Sequence, residues 1–129
     1  MSQANVEVVK AAFDAWNAGD MDRLRDMYDP NIVLHMIPGW PEPGPYAGRE
    51  AVMRQLTQLR ETWDADVGEL ISFVDVGDRV VVRQLWRLGR GPDANIDLTI
   101  IVTLRQGRIA SLEYFWDHAE ALKAVGLEE

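Results

Sequence analysis

The chain contains no cysteine, which removes disulfides and thiolate metal sites from consideration. Histidine is almost as scarce: His35 and His118 are the only two in 129 residues, and no spacing of His with carboxylates resembles a metal site. No metal and no cofactor is therefore expected. Positive charge is thin as well. Thirteen Lys and Arg stand against 21 Asp and Glu, giving a formal net charge of -8, and no Lys/Arg cluster occurs. That balance argues against a nucleic-acid backbone or an anionic membrane as partner. No apolar run approaches the ~18 residues of a membrane span. The opening MSQANVEVVK lacks the basic stretch followed by an apolar one that marks an export signal, so a cytoplasmic location is expected. Phosphate loops, dinucleotide fingerprints and Ser-His-Asp signatures are missing too.

What is present reads as one globular domain over residues 1–129, with 47% hydrophobic residues and five tryptophans. Val6, Val9, Phe13 and Trp16 recur at helical spacing, Gly19 can end that helix, and Asp20 can cap a second one carrying Met21, Leu24, Met27 and Tyr28. A short strand follows over 32–38, then a Pro/Gly-rich loop, GWPEPGPYAG, with Trp40 and Tyr46 placed to act as a lid. Val52, Leu56, Leu59 and Trp63 stripe a third helix beginning near Arg49. Turn signals at 76–78, 89–92 and 106–107 then divide the remainder into four strands near 66–75, 79–88, 95–105 and 108–116. Asp117 can cap a last short helix closed by Gly126. Helices segregated from an antiparallel sheet make an α+β fold, here a curved sheet wrapped around helices into a cone.

The stretch DRVVVRQLW carries an arginine, Arg83, inside an apolar run. In the strand 96–104 the even residues Ile96, Leu98, Ile100, Val102 and Leu104 form the inward row. A hairpin centred on the 89–94 loop places Arg83 beside Ile100 and Leu85 beside Leu98, which turns Arg83 inward. A slip of one residue instead brings Val80, Val82, Gln84 and Trp86 inside, and the sequence tolerates both registers. A three-residue loop with left-handed Gly107 would pair Ile100 with Leu112 and Leu98 with Tyr114, adding Leu112, Tyr114 and Trp116 to the inner face.

The order of elements, with AFDAWNAGDMDRLRDMYDPNIVLHMIP, YAGREAVMRQL and GRIASLEYFWDHAEALKAVGL, resembles the SnoaL-like branch of the nuclear transport factor 2 superfamily over nearly the whole chain. The resemblance implies the cone fold and a frequent homodimer, in a superfamily that includes isomerases, epoxide hydrolases, polyketide cyclases and non-enzymatic binders. The ketosteroid isomerase acids and tyrosine would fall on Met36, Ile100 and Ala12, so that site is absent. The limonene-epoxide hydrolase acids would fall on Arg83 and Tyr114, its arginine on Val81, and its water-holding pair on Leu34 and Met36, so that site is missing too. Both templates make the 81, 83, 85 side line the cavity.

A buried guanidinium without a carboxylate is costly, so Arg83 is expected to anchor an anion or carbonyl, with Tyr114 as donor and Asp117 or His35 as proton acceptors. Phe13, Trp16, Leu34, Met36, Leu56, Leu59 and Trp63 would wall the cavity together with Val81, Leu85, Ile96, Leu98, Ile100, Leu112 and Trp116, under Trp40 and Tyr46. The leading expectation is a cofactor-free enzyme of cyclase, isomerase or lyase type, acting on a small hydrophobic molecule that bears a carbonyl or carboxylate. The alternatives are a non-catalytic binding or dimerisation module, and a limonene-epoxide hydrolase-like enzyme with an altered site. An apolar outer face with Val80, Val82, Trp86, Ile101 and Phe115 suggests a homodimer seam.

Overall fold

The computed structural model describes residues 2–37, 39–40, 44–63, 67–87 and 96–127; the side chains of Ser2, Gln3, Trp63, Val67 and Arg87 are outside that description. Helix α1 (Ser2–Ala18) ends where Gly19 adopts a positive φ, and Asp20 then accepts a hydrogen bond from the Arg23 amide to start α2 (Met21–Asp26). That carboxylate satisfies one of the amides a helix N-terminus leaves free. The second helix stops one turn earlier than its apolar spacing suggests. Tyr28, expected on it, opens strand β1 (Tyr28–His35) instead.

Strand β2 (Tyr46–Ala47) is a two-residue element within the Pro/Gly-rich stretch and pairs with β1 through Leu34 and Val33. It leads directly into α3 (Arg49–Trp63). The second half of the chain is β3 (Val67–Val76), β4 (Arg79–Arg87), β5 (Ile96–Arg105) and β6 (Arg108–Phe115), close to the expected boundaries, followed by α4 (His118–Ala124). Gly126 closes α4 with a positive φ, while the Leu127 amide returns to the Leu122 carbonyl and the Gly126 amide to that of Lys123. Only a left-handed residue lets the chain fold back in that pattern.

All six strands form one sheet in the order β2-β1-β6-β5-β4-β3. It is mixed: β1 runs parallel to β6, and the other four pairings are antiparallel. Helices α1 and α3 cover the inner face, and their apolar stripes merge with Ile32, Leu34, Val80, Val82, Leu98, Ile100 and Val102 into the main core. Helix α4 covers part of the outer face. There Ala121, Leu122 and Val125 bury Val81 and Ile101 in a second, smaller cluster flanked by Val76 and Phe115.

Two details of register fix which side chains are inside. Across β4 and β5, Arg83 lies opposite Thr99, Val82 opposite Ile100 and Trp86 opposite Ile96. This is the slipped register, so Val80, Val82, Gln84 and Trp86 face inward and Val81, Arg83 and Leu85 outward. The burial of Val81 under α4 is what makes an apolar residue acceptable on the outer row.

Between β5 and β6 the turn is two residues long, with Gln106 and Gly107 both at positive φ, and Arg105 pairs with Arg108. A two-residue turn alone would place Leu112 and Tyr114 on the wrong face. A bulge between Thr103 and Leu104 corrects the parity, so Val102 meets Leu112 and Ile100 meets Tyr114. Each partner is thus two residues from the expected one, on the expected face.

If α4 is clamped by its apolar side, Ile101→Ala should cost about 2–4 kcal/mol in urea unfolding and loosen α4 first. Hydrogen exchange in α4 amides that stays as slow as in the parent protein would contradict this packing.

Candidate functional site

The inner face of the cone and the helices line a partly open void of about 60 Å³. One wall comes from α1 and the residues after it: Val9, Ala12, Phe13, Trp16, Leu24 and Tyr28. Leu56 of α3 closes one side, and the sheet contributes Gln84, Trp86, Ile100, Val102, Ile109, Leu112 and Tyr114. Among the described residues, and apart from the indoles of Trp16 and Trp86, the wall side chains that carry polar atoms are Tyr28, Gln84 and Tyr114. Its aromatic surfaces are braced: the Trp86 and Tyr114 rings pack 5.6 Å apart at 47°. Arg60 lies 5.0 Å from the Trp16 ring centre and donates to the Trp16 carbonyl at 2.7 Å.

Both phenols are held protonated. Burial pushes Tyr28 well above the ordinary phenol range, helped by the nearby Tyr114, and burial pushes Tyr114 up as well. A phenolate would have to sit in an apolar chamber, so each hydroxyl remains a neutral donor at physiological pH and neither serves as a base. Gln84 is 2% exposed, and its amide Nε2 has no hydrogen-bond partner among the described residues. An unmade bond on a buried donor costs ~1–3 kcal/mol.

Arg83, expected inside, is on the outer face. Its Nε and Nη2 donate to the two carboxylate oxygens of Asp97 at 3.2 and 2.8 Å, with side chains 43% and 49% exposed. The pair is diagonal across β4 and β5, and Arg83 holds the Asp97 carboxyl below its usual range. A guanidinium already forked onto a carboxylate in contact with water has no need of a guest anion. The reason for the misplacement is the one-residue register difference. The same difference moves Val81 under α4 and leaves Leu85 half-buried on the outer side, opposite Asp97.

His35 is exposed at the end of β1, opposite Glu113, because the alternation that buries Leu34 turns it outward. Asp117 is the N-cap of α4, accepting from the Ala119 amide at 2.9 Å, and is not a cavity base. Trp116 lies beyond the last residue of β6 and is 53% exposed, since strand alternation no longer governs it. Leu34, Met36, Leu59 and Leu98 are buried in the main core without reaching the void, and Ile96 packs against that core half-buried. Trp40 and Tyr46 also pack, partly buried, against the core rather than lining the void. The Trp63 side chain lies outside the described residues. Of the expected wall, Phe13, Trp16, Leu56, Ile100, Leu112 and Tyr114 do line the void.

Tyr28, which was not expected there, joins the wall with Val9, Ala12, Leu24, Val102 and Ile109, and the slipped register that the sequence left open adds Gln84 and Trp86. The hydrophobicity of Val80, Val82 and Trp86 on one row was the available signal for the last two; Tyr28 was hidden by its helical spacing from Leu24. Among the described residues no carboxylate or imidazole lines the void, and no three His, Asp or Glu side chains converge to hold a metal ion. No helix among the described residues is long and apolar enough to cross a membrane.

Because the folded protein keeps Tyr28 and Tyr114 protonated above the ordinary phenol value of about 10, their contribution to stability should be constant below that pH and fall as pH rises beyond it. In an alkaline absorbance titration, two of the three tyrosines should ionise only as the protein unfolds. Reversible ionisation of all three in the folded state would refute the burial.

The site lies on a scaffold with many structural relatives. A Sinorhizobium meliloti protein described as a "putative polyketide cyclase" is 28% identical, with 84% of this chain and 93% of that one aligned and a TM-score of 0.73. An NTF2-like protein of Burkholderia xenovorans is 26% identical over 98% of both chains, with a TM-score of 0.69. A de novo designed protein with a curved β-sheet is 18% identical over 97% of this chain and 93% of its own, with a TM-score of 0.73, a likeness of fold alone. No curated protein matches in sequence. The family model for the SnoaL-like domain matches residues 9–112, and with the α+β cone already described, the chain belongs to the SnoaL-like family of nuclear transport factor 2-like proteins.

Proposed function

We propose that the cone is a receptor for a small, neutral, largely apolar molecule bearing one carbonyl-type acceptor. The observation that carries this reading is the chemistry of the wall among the described residues: hydrocarbon and aromatic surface, two phenols held neutral by burial, one carboxamide, and no charged side chain. A carboxylate guest would lose its hydration without meeting a cation, which disfavours the anionic ligands that an inward Arg83 would have suited. The void of about 60 Å³ is smaller than the ~150 Å³ of a cavity known to hold benzene, so a ring-sized guest requires the aromatic wall to give way.

A second reading is favoured by the polyketide cyclase description of the 28% identical relative. In it Tyr114 and Tyr28 donate to a carbonyl oxygen as it gains negative charge during cyclisation or isomerisation. Among the described residues the wall offers no carboxylate or imidazole, so with these alone the proton would pass to water or to a group of the substrate itself.

Cyclohexanone and cyclohexanecarboxylate are suitable probes, followed by ligand-observed NMR. The ketone should bind and the acid should not; Tyr114→Phe should weaken the ketone about three- to tenfold, and Arg83→Met should leave it unchanged. Tighter binding of the acid, or its loss in Arg83→Met, would overturn the receptor reading. Exchange of the ketone's α-hydrogens in deuterated water, faster with protein than without, would establish the catalytic reading.

Self-association is a separate proposal. The outer face retains Leu85 and Phe115 but not Val80, Val82 and Trp86, which are inside, and Ile101 is under α4. A homodimer over what remains should survive dilution in light scattering; a monomer at micromolar concentration would exclude it.

A further inference from the structure

We infer that Gln84 is the specificity-determining residue of the cavity, selecting ligands with a hydrogen-bond acceptor over hydrocarbons of the same shape, and that Gly68 positions it. This rests on the receptor reading above. Gln84 occupies the inward row of β4 between Val82 and Trp86, where an aliphatic side chain would extend the core without any unmade bond.

The polar backbone beside it is already engaged. Asn17, near the end of α1, donates to the Gly68 carbonyl at 2.9 Å and accepts from the Gly68 amide at 2.7 Å. Nothing among the described residues takes up Nε2, and Gln84 is one of the residues that line the void. A carboxamide donor enclosed in apolar surface is satisfied best by a neutral acceptor brought in by the guest.

Gly68 makes room for this arrangement. A Cβ there would lie 3.3 Å from the Gln84 Oε1, close enough that the amide must give by a few tenths of an ångström, and 3.4 Å from the Phe13 ring. Glycine inside a strand commonly marks such a close approach. The Asn17 bonds hold this bare backbone against Gln84 and tie α1 to the edge strand that carries it.

The test compares cyclohexanone with methylenecyclohexane, which replaces the carbonyl oxygen by CH₂ at nearly the same shape. The readout is the ratio of their dissociation constants, since each partitions differently from water and only a change in the ratio reports the acceptor. Gln84→Leu should shift the ratio against the ketone about three- to tenfold, leave methylenecyclohexane binding intact, and raise the melting temperature of the ligand-free protein. Gly68→Ala, which keeps the amide but displaces it, should shift the ratio in the same direction by a smaller factor. Gln84→Met serves as a second apolar variant should the leucine fail to fold.

An unchanged ratio in Gln84→Leu or Gln84→Met, with both probes bound, would overturn this inference and leave the receptor reading standing. A fall in melting temperature would overturn it as well, because it would mean the amide makes a structural bond. Binding of neither probe to the parent protein would overturn the receptor reading and this inference together.

Discussion

The hydrogen-bond register between β4 and β5 decides what this molecule can do. Arg83 opposite Thr99, rather than Ile100, sends Val80, Val82, Gln84 and Trp86 to the interior and puts Arg83 on the outer face. Strand side chains alternate, so a shift of one residue exchanges a complete row rather than a single residue. The selection is energetic. The inward row carries three large apolar side chains and a neutral amide, whereas the alternative would bury a guanidinium away from Asp97, the carboxylate it now meets in partial contact with water. The valine left on the outer row is compensated by α4, which brings Ala121, Leu122 and Val125 onto it.

From that register follows a cavity that is neutral. Among the described residues its polar groups include two phenols that burial keeps protonated and a carboxamide with a spare donor, all hydrogen-bond partners rather than ionised acids or bases. Chemistry in such a chamber depends on stabilising charge that develops on a guest, or does not occur at all and the chamber binds. The fold does not distinguish the two. A designed protein adopts the same architecture at 18% identity, so the cone is a solution to packing a curved sheet over helices before it is a solution to catalysis.

The hairpin of β5 and β6 shows how irregular features serve the same end. The Gln106-Gly107 turn is the short, positive-φ kind that suits the twist of two antiparallel strands, but its parity is wrong for burying Leu112 and Tyr114. The bulge restores them to the interior, at the cost of a local break in the ladder. Both phenols of the cavity depend on β6: Tyr114 through this bulge, and Tyr28 through its parallel pairing with Ile109. The twofold error in the expected partners was therefore harmless to the site, whereas the single-residue error on β4 was not.

By itself the sequence determined the order of the helices and long strands, the bounds of β3 to β6 to within a residue, the caps at Asp20 and Asp117, the stops at Gly19 and Gly126 and the α+β class, because each depends on spacing and on local backbone chemistry; it did not give β2 or the start of β1 at Tyr28. It also placed Phe13, Trp16, Leu56, Ile100, Leu112 and Tyr114 on the cavity wall, since helical stripes and the strongly alternating 96–104 segment have one apolar side. Only the tertiary structure decided the side of β4 that faces in, the entry of Tyr28 and Gln84 into the wall, the parallel pairing of β1 with β6 and the cover that α4 gives to Val81 and Ile101. Those outcomes turn on contacts between residues far apart in the chain, where two rows of similar hydrophobicity compete and a helix from the far end, together with an available carboxylate, settles which one is buried.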